Sequence, residues 1–215
     1  LVEPSGENRI AIATGALDHL LPEHVEAFRP QLAAADLVIV SMEIPLETAV
    51  AALKVAKEEG TRTLLNPAPA QPLPDEAWSD IDVLTPNRSE AAILMGQPPD
   101  TDRSAEDLAD ELSRRGASAV VITLGSDGAL ISDEAGQRHV PAAPAPTVVD
   151  TTGAGDGFTA GLAVELAAGR SIDDAARFAA RVGAYVVGIA EVIPSLPRRE
   201  DLDVVTQAVS QEVSR

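Results

Sequence analysis

The chain has no cysteine, which excludes a disulfide framework and thiolate chemistry and removes any need for an oxidising compartment. Lysine is nearly absent: Lys54 and Lys57 are the only two, and 16 Lys plus Arg stand against 34 Asp plus Glu, a formal charge of -18. The sole adjacent basic pairs are Arg114-Arg115 and Arg198-Arg199. No patch of cations exists to neutralise a phosphate backbone, which argues against nucleic acid as a partner. No apolar run reaches the roughly 18 residues of a membrane span, and no basic segment followed by an apolar stretch opens the chain. The expectation is a cytoplasmic protein without a membrane partner. Surface Asp and Glu in place of Lys, with few aromatics, also suit a protein kept hydrated in concentrated salt.

What is present is 215 residues, 45% of them hydrophobic, enough for one sizeable core. Short β-branched runs alternate with segments of helical period, the pattern of parallel strands joined by crossover helices. Strands are expected at 9–13, 37–41, 63–66, 83–85, 119–124, 129–132 and 137–140. Helices are expected at 23–34, 46–59, 89–95, 104–115, 155–168, 172–188 and 198–213. Gly60, Gly116 and Gly169 fall just past helix ends, where glycine suits a left-handed cap. Val38-Ile39-Val40, Thr63-Leu64-Leu65 and Val120-Val121-Ile122 read as strands covered on both faces, so the fold class is a three-layer α/β/α sheet. The proline-rich stretches 66–74 and 141–146 read as rigid loops after strands.

In open α/β sheets ligands bind beyond the carboxyl ends of the strands. Four segments there carry candidate chemistry. Asp150-Thr151-Thr152-Gly153-Ala154-Gly155-Asp156-Gly157-Phe158 leads into an apolar helix. Its glycines let backbone approach a ligand, and free N–H groups at the helix start favour developing negative charge. Asp156 there is either a general base or a carboxylate stabilising the helix dipole. Asn87 and Glu90, three residues apart after a strand, either help place a metal and phosphates or form a capping box. Thr123-Leu124-Gly125-Ser126-Asp127-Gly128 is either a phosphate-binding loop or an ordinary turn between strands. The fourth segment is 180–197. His19, His24 and His139 are too scattered for metal-ligand spacing.

The stretch DTTGAGDGF resembles the C-terminal signature of the ribokinase-type (phosphofructokinase-B) sugar kinases, matching both glycines, the second Asp and Asp150. Asn87-x-x-Glu90 resembles the same family's Asn-x-x-Glu motif, and Asn66-Pro67-Ala68-Pro69-Ala70 is a form common in ribokinases. The resemblance implies a ribokinase fold and transfer of the γ-phosphoryl of ATP to the 5-hydroxyl of D-ribose. Asp156 would be the base, and the backbone of Gly153, Ala154, Gly155 and Asp156 the anion hole. Asn87, residues 123–128 and Ala180 would take the nucleotide, Glu90 a water-bound Mg²⁺, and Glu43 with Asp156 the sugar. A monovalent cation, K⁺, would sit among the Asp150 carboxylate, the Thr152, Val186, Ile189 and Glu191 carbonyls, and Ser195. Ala190-Glu191-Val192 departs from the family's usual basic-Gly-Ala run, as Gly15-Ala16-Leu17 does from Gly-Ala-Asn.

The resemblance covers only the later two-thirds of a ribokinase. It implies that 1–14 is a remnant of the lid sheet that pairs subunits into a homodimer, and that 15–215 is the catalytic core, incomplete at its start. Related kinases of 2-keto-3-deoxygluconate, fructose or nucleosides, and a non-catalytic nucleotide-binding fragment, are the alternatives.

Overall fold

The computed structural model describes residues 15–145 and 147–202. Six strands form one sheet in sequence order: β1 (Leu37–Ser41), β2 (Arg62–Asn66), β3 (Val83–Leu84), β4 (Ala119–Thr123), β5 (Ala129–Asp133) and β6 (Gly136–Val140). β1 to β4 are parallel; β5 returns antiparallel to β4, and β6 antiparallel to β5. The helices are α1 (Pro22–Ala27), α2 (Arg29–Ala33), α3 (Leu46–Glu58), α4 (Arg88–Leu94), α5 (Ala105–Arg115), α6 (Ala154–Ala167), α7 (Ile172–Val186) and α8 (Val192–Ser195). None of the described helices is long and apolar enough to cross a membrane.

Strand alternation sorts the core into two layers. Leu65, Leu84, Val120 and Ile122 pack with α3, α4 and α5 on one face. Leu64, Val83, Val121 and Ile131 pack with α6 and α7 on the other. The crossovers within β1–β4 all lie on the first face, so the second stays open until α6 and α7 close it. This is the expected three-layer arrangement, and Gly60, Gly116 and Gly169 adopt the expected positive φ.

Three expectations are corrected. The helix expected over 23–34 is broken at Phe28, because Pro30 falls in the first turn of α2 and cannot donate to a preceding carbonyl. β1 is not covered on both faces: Ile39 is 49% exposed, as is Val164 of α6 at 54%, because the second helix layer reaches only partly over this edge strand. Short elements at Gly15–His19, Asp75–Asp80 and Val192–Ser195 lie where no helix was expected. The strand expected at 9–13, the lid remnant 1–14 and the helix 198–213 beyond residue 202 lie outside the described residues.

The tightest packing is between α6 and α7. A Cβ on Gly157 would lie 2.9 Å from Val186 Cγ2, and one on Gly161 would lie 2.9 Å from Val182 Cγ2 and 3.2 Å from the Ala179 Cα. Gly161→Ala should therefore cost about 1–3 kcal/mol by overpacking, despite the ~1 kcal/mol that alanine ordinarily gains in a helix. Chemical denaturation of the variant checks this, and an unchanged midpoint would contradict the close approach.

Candidate active site

The carboxyl ends of β1 to β4 are held in register, with Ser41 opposite Asn66 and Thr85 N–H donating to the Leu65 carbonyl at 2.9 Å. The segment after β1 is tied to the segment after β2 by Met42 N–H donating to the Ala68 carbonyl at 3.1 Å. Glu43 is exposed at this end. After β3, Pro86 accepts from Thr123 N–H at 2.9 Å, so Asn87 lies beside the end of β4. The Thr85 hydroxyl meets that of Thr159 on α6, 3.4 Å away and buried, which fixes α6 over β3.

Asn87 and Glu90 form a complete capping box at the start of α4. The Asn87 side chain accepts from Glu90 N–H at 2.8 Å, and Glu90 Oε2 accepts from Asn87 N–H at 2.7 Å. Capping and a functional role do not compete here. Burial pushes the Glu90 carboxyl above the usual carboxylate range, the Asn87 N–H opposes the shift, and the negative charge of Asp156 adds to it. The structure thus brings the two carboxylates within electrostatic reach, each from a different motif.

The signature itself uses its glycines in three ways. Gly153 has φ +80 and would clash with Val192 if it carried a side chain. Gly157 admits α7. Gly155 has neither need: its φ is ordinary and a Cβ there would meet nothing within 4 Å. Space is left open there, at the mouth of a helix start. Ala154 N–H is satisfied by the Thr151 carbonyl at 3.2 Å and Gly157 N–H by the Gly153 carbonyl at 2.8 Å. Among the described residues the N–H groups of Gly153, Gly155 and Asp156 have no acceptor, so of the four main-chain donors expected to form an anion hole only that of Ala154 is taken within the fold.

Gly155 opens onto a cavity of about 580 Å³, while Asp156, Asn87 and Glu90 lie outside its lining. From the 123–128 loop, Thr123, Gly125, Ser126 and Gly128 line it, together with Ala154, Gly155 and Ala180. Leu124 and Asp127 instead close the turn, with Leu124 N–H donating to the Gly128 carbonyl at 2.8 Å and Asp127 N–H to the Leu124 carbonyl at 3.1 Å. Among the described residues no Lys, Arg or His lines the cavity. A more open groove of about 790 Å³ lies at the other end of the strands, where Lys57 pairs with Asp82, and no signature residue reaches it.

The residues expected around a monovalent cation are partly assembled. Asp150 Oδ1 accepts from Thr152 N–H at 2.9 Å, and hydrogen bonds from the main chain and hydroxyl of Thr152, and from the main chain of Glu191, hold the Asp150 carboxyl below its usual range. The Val186 carbonyl already accepts from Ile189 N–H at 3.2 Å, and the buried Ser195 hydroxyl donates to the Val192 carbonyl at 2.7 Å. Glu191 has φ +69 and ψ 150, alone among described non-glycine residues in having positive φ.

Sequence reasoning did not find the wall formed by Ala142, Ala145, Val148, Gly183 and Val187. Its signal was available in the spacing of Ala180, Gly183, Ala184 and Val187, which marks one helix face.

Residues 1–199 match the family described as pfkB family carbohydrate kinase. The chain belongs to this family of carbohydrate kinases. This pfkB-family chain is 39% identical over 202 residues to a ribokinase of Schizosaccharomyces pombe, covering 91% of the chain and 64% of the relative. It is 36% identical over 200 residues to a ribokinase of Haemophilus influenzae, covering 93% and 65%. Among solved structures, Arabidopsis thaliana ribokinase complexed with ribose and ATP superimposes with a TM-score of 0.83 at 30% identity, covering 95% of this chain and 66% of that one. The chain spans about two-thirds of the length of these relatives.

Two substitutions separate structural from ligand-directed residues. Gly155→Ala should gain about 1 kcal/mol of helix stability yet weaken nucleotide binding at least tenfold, read by thermal melting and calorimetry. Glu191→Gly should relieve about 1 kcal/mol of backbone strain, raising the melting temperature by roughly 2–4 °C.

Proposed function

We propose that the protein carrying this chain is an ATP-dependent ribokinase that phosphorylates the 5-hydroxyl of D-ribose. The observation that carries this is the placement of Asp156 in the first turn of α6. There it follows Gly155, an open glycine that lines a cavity of nucleotide size, beside N–H donors with no acceptor among the described residues and with Glu90 in electrostatic reach.

The ribose hydroxyl gives its proton to the Asp156 carboxylate as its oxygen attacks the γ-phosphorus. The bond from that phosphorus to the β,γ-bridging oxygen breaks, and ADP leaves. The main chain from Gly153 to Asp156, with three N–H groups free among the described residues, stabilises the charge that spreads over the transferring group. Asn87, at the end of β4, and the 123–128 turn position the nucleotide, and Glu43 beyond β1 holds the sugar.

Among the described residues the cavity has no cationic side chain to offset phosphate charge, and Glu90 and Asp156 approach from different motifs. Both features fit a divalent cation. No group of three or more His, Asp or Glu among the described residues makes a protein-only cage, as suits Mg²⁺, which keeps waters and uses few carboxylates plus phosphates. Glu90, through water, would hold it. Mg²⁺ supplies neutralisation of charge on the β- and γ-phosphates. Asp150, Thr152, Val186, Ile189, Glu191 and Ser195 offer the hard oxygen donors that suit K⁺ as an activator. A homodimer formed through a lid sheet and a cytoplasmic setting complete the proposal.

Asp156→Asn should lower ribose-dependent ADP release by about 10²–10⁴-fold while leaving the Kd for MgATP within about threefold. Turnover surviving within about tenfold would remove Asp156 from the base role. A panel of ribose, fructose, 2-keto-3-deoxygluconate and nucleosides tests the acceptor.

A further inference from the structure

Only three side chains on α6 are polar: Asp156, Thr159 and Glu165. Glu165 pairs with Arg199, and Asp156 stands in the first turn. Thr159 is buried, and its hydroxyl does not bond back to a carbonyl one turn earlier, as a helical threonine's can. Among the described residues its partner is the hydroxyl of Thr85, 74 positions away in sequence and 3.4 Å away in space. Thr85 is buried as well and donates to the Leu65 carbonyl at 3.3 Å, which leaves Thr159 as the donor between the two.

Phe158, Leu162, Ala163 and Leu166 pack α6 against Leu64 and Val83, and such apolar contact gives burial with little direction. Gly157 and Gly161 set how near α7 comes. Neither contact reaches the segment that carries Asn87. Among the described residues no hydrogen bond other than the threonine pair joins α6 to the sheet or to that segment. Both bonds of the Thr85 hydroxyl are long for O–H···O, so they orient more than they stabilise.

Each end of the contact leads to the candidate site within a few residues. Thr159 follows Asp156 by three positions, which puts the two on one side of α6. Thr85 precedes Asn87 by two, with Pro86 between them to fix the chain's direction, and Asn87 in turn caps α4 with Glu90.

We propose that Thr85 and Thr159 are positioning residues: their hydroxyl contact sets where Asp156 stands relative to Asn87 and Glu90, and so how the acceptor hydroxyl meets its base. The inference rests on the reading of Asp156 as the base of a ribose kinase.

The test joins Thr85→Val and Thr159→Val in one variant of the protein carrying this chain and compares it with Thr159→Ser. Replacing both hydroxyls by methyl groups of the same shape leaves neither one buried without a partner, so the double variant should keep its melting temperature. Its kcat for ribose-dependent ADP release should fall about tenfold to 10²-fold, with KM for MgATP within about threefold, because a misplaced base slows chemistry and not binding. Thr159→Ser retains the hydroxyl and should hold kcat within about threefold. A double variant whose kcat stays within about threefold overturns the inference, and so does a Thr159→Ser that loses as much as the double variant, since the methyl group would then be what matters. Should the double variant not fold, as judged by circular dichroism, Thr159→Val alone is set against Thr159→Ser under the same criterion. Turnover within about tenfold in Asp156→Asn, or none in the unaltered protein, removes the kinase reading itself and the inference with it.

Discussion

The distance between two helices governs the catalytic end of this molecule. Gly157 and Gly161 remove two side chains from α6, and Val182 and Val186 of α7 occupy the space. A Cβ on Gly183 of α7 would lie 3.7 Å from the Ala154 carbonyl, an ordinary contact with the first turn of α6. One helix therefore presents open N–H groups and Asp156, and its partner presents the apolar wall. The buried Thr85 and Thr159 hydroxyls then tie this pair to the sheet end that carries Asn87 and Glu90.

Charge follows a matching division. The scarce cations are spent away from the cavity. Arg29 is held by Glu26, Glu58 and Glu59, and Arg138 by Asp133 and Asp173. Arg199 reaches the buried Glu165 and stacks over Phe178 with its guanidinium carbon 4.8 Å from the ring centre. These pairs locate loops and helices on a surface that would otherwise repel itself. The head of α6 carries backbone dipoles in place of a lysine's charge, and these cannot be titrated away.

Most of the layer structure was legible in the sequence, because β-branched runs and helix periods reflect local chemistry. The miss at Phe28 was local too: apolar spacing continued through Pro30, but the hydrogen bond that proline cannot make ended the helix. The exposure of Ile39 was not legible, since strand composition reports what a strand can bury and not how far the opposite layer extends. The stretch 141–146 was read as a stiff loop at the sheet's edge, while Ala142, Ala143 and Ala145 within it line the cavity. Proline signals rigidity and is silent about what the rigid piece faces. At the signature the glycines were visible, but only coordinates distinguish Gly155, which borders empty space, from Gly153 and Gly157, which border valines.

The capping box at the head of α4 has a consequence beyond holding the helix together. A glutamate side chain free in solution samples many rotamers, and fixing one costs up to about 2 kcal/mol of entropy. Because one oxygen of Glu90 is bound to Asn87 N–H, that ordering is completed when α4 folds. The Glu90 side chain is thus ordered by the fold alone, and nothing that meets it later has that entropy still to remove. The cap makes this end of α4 stiff in advance.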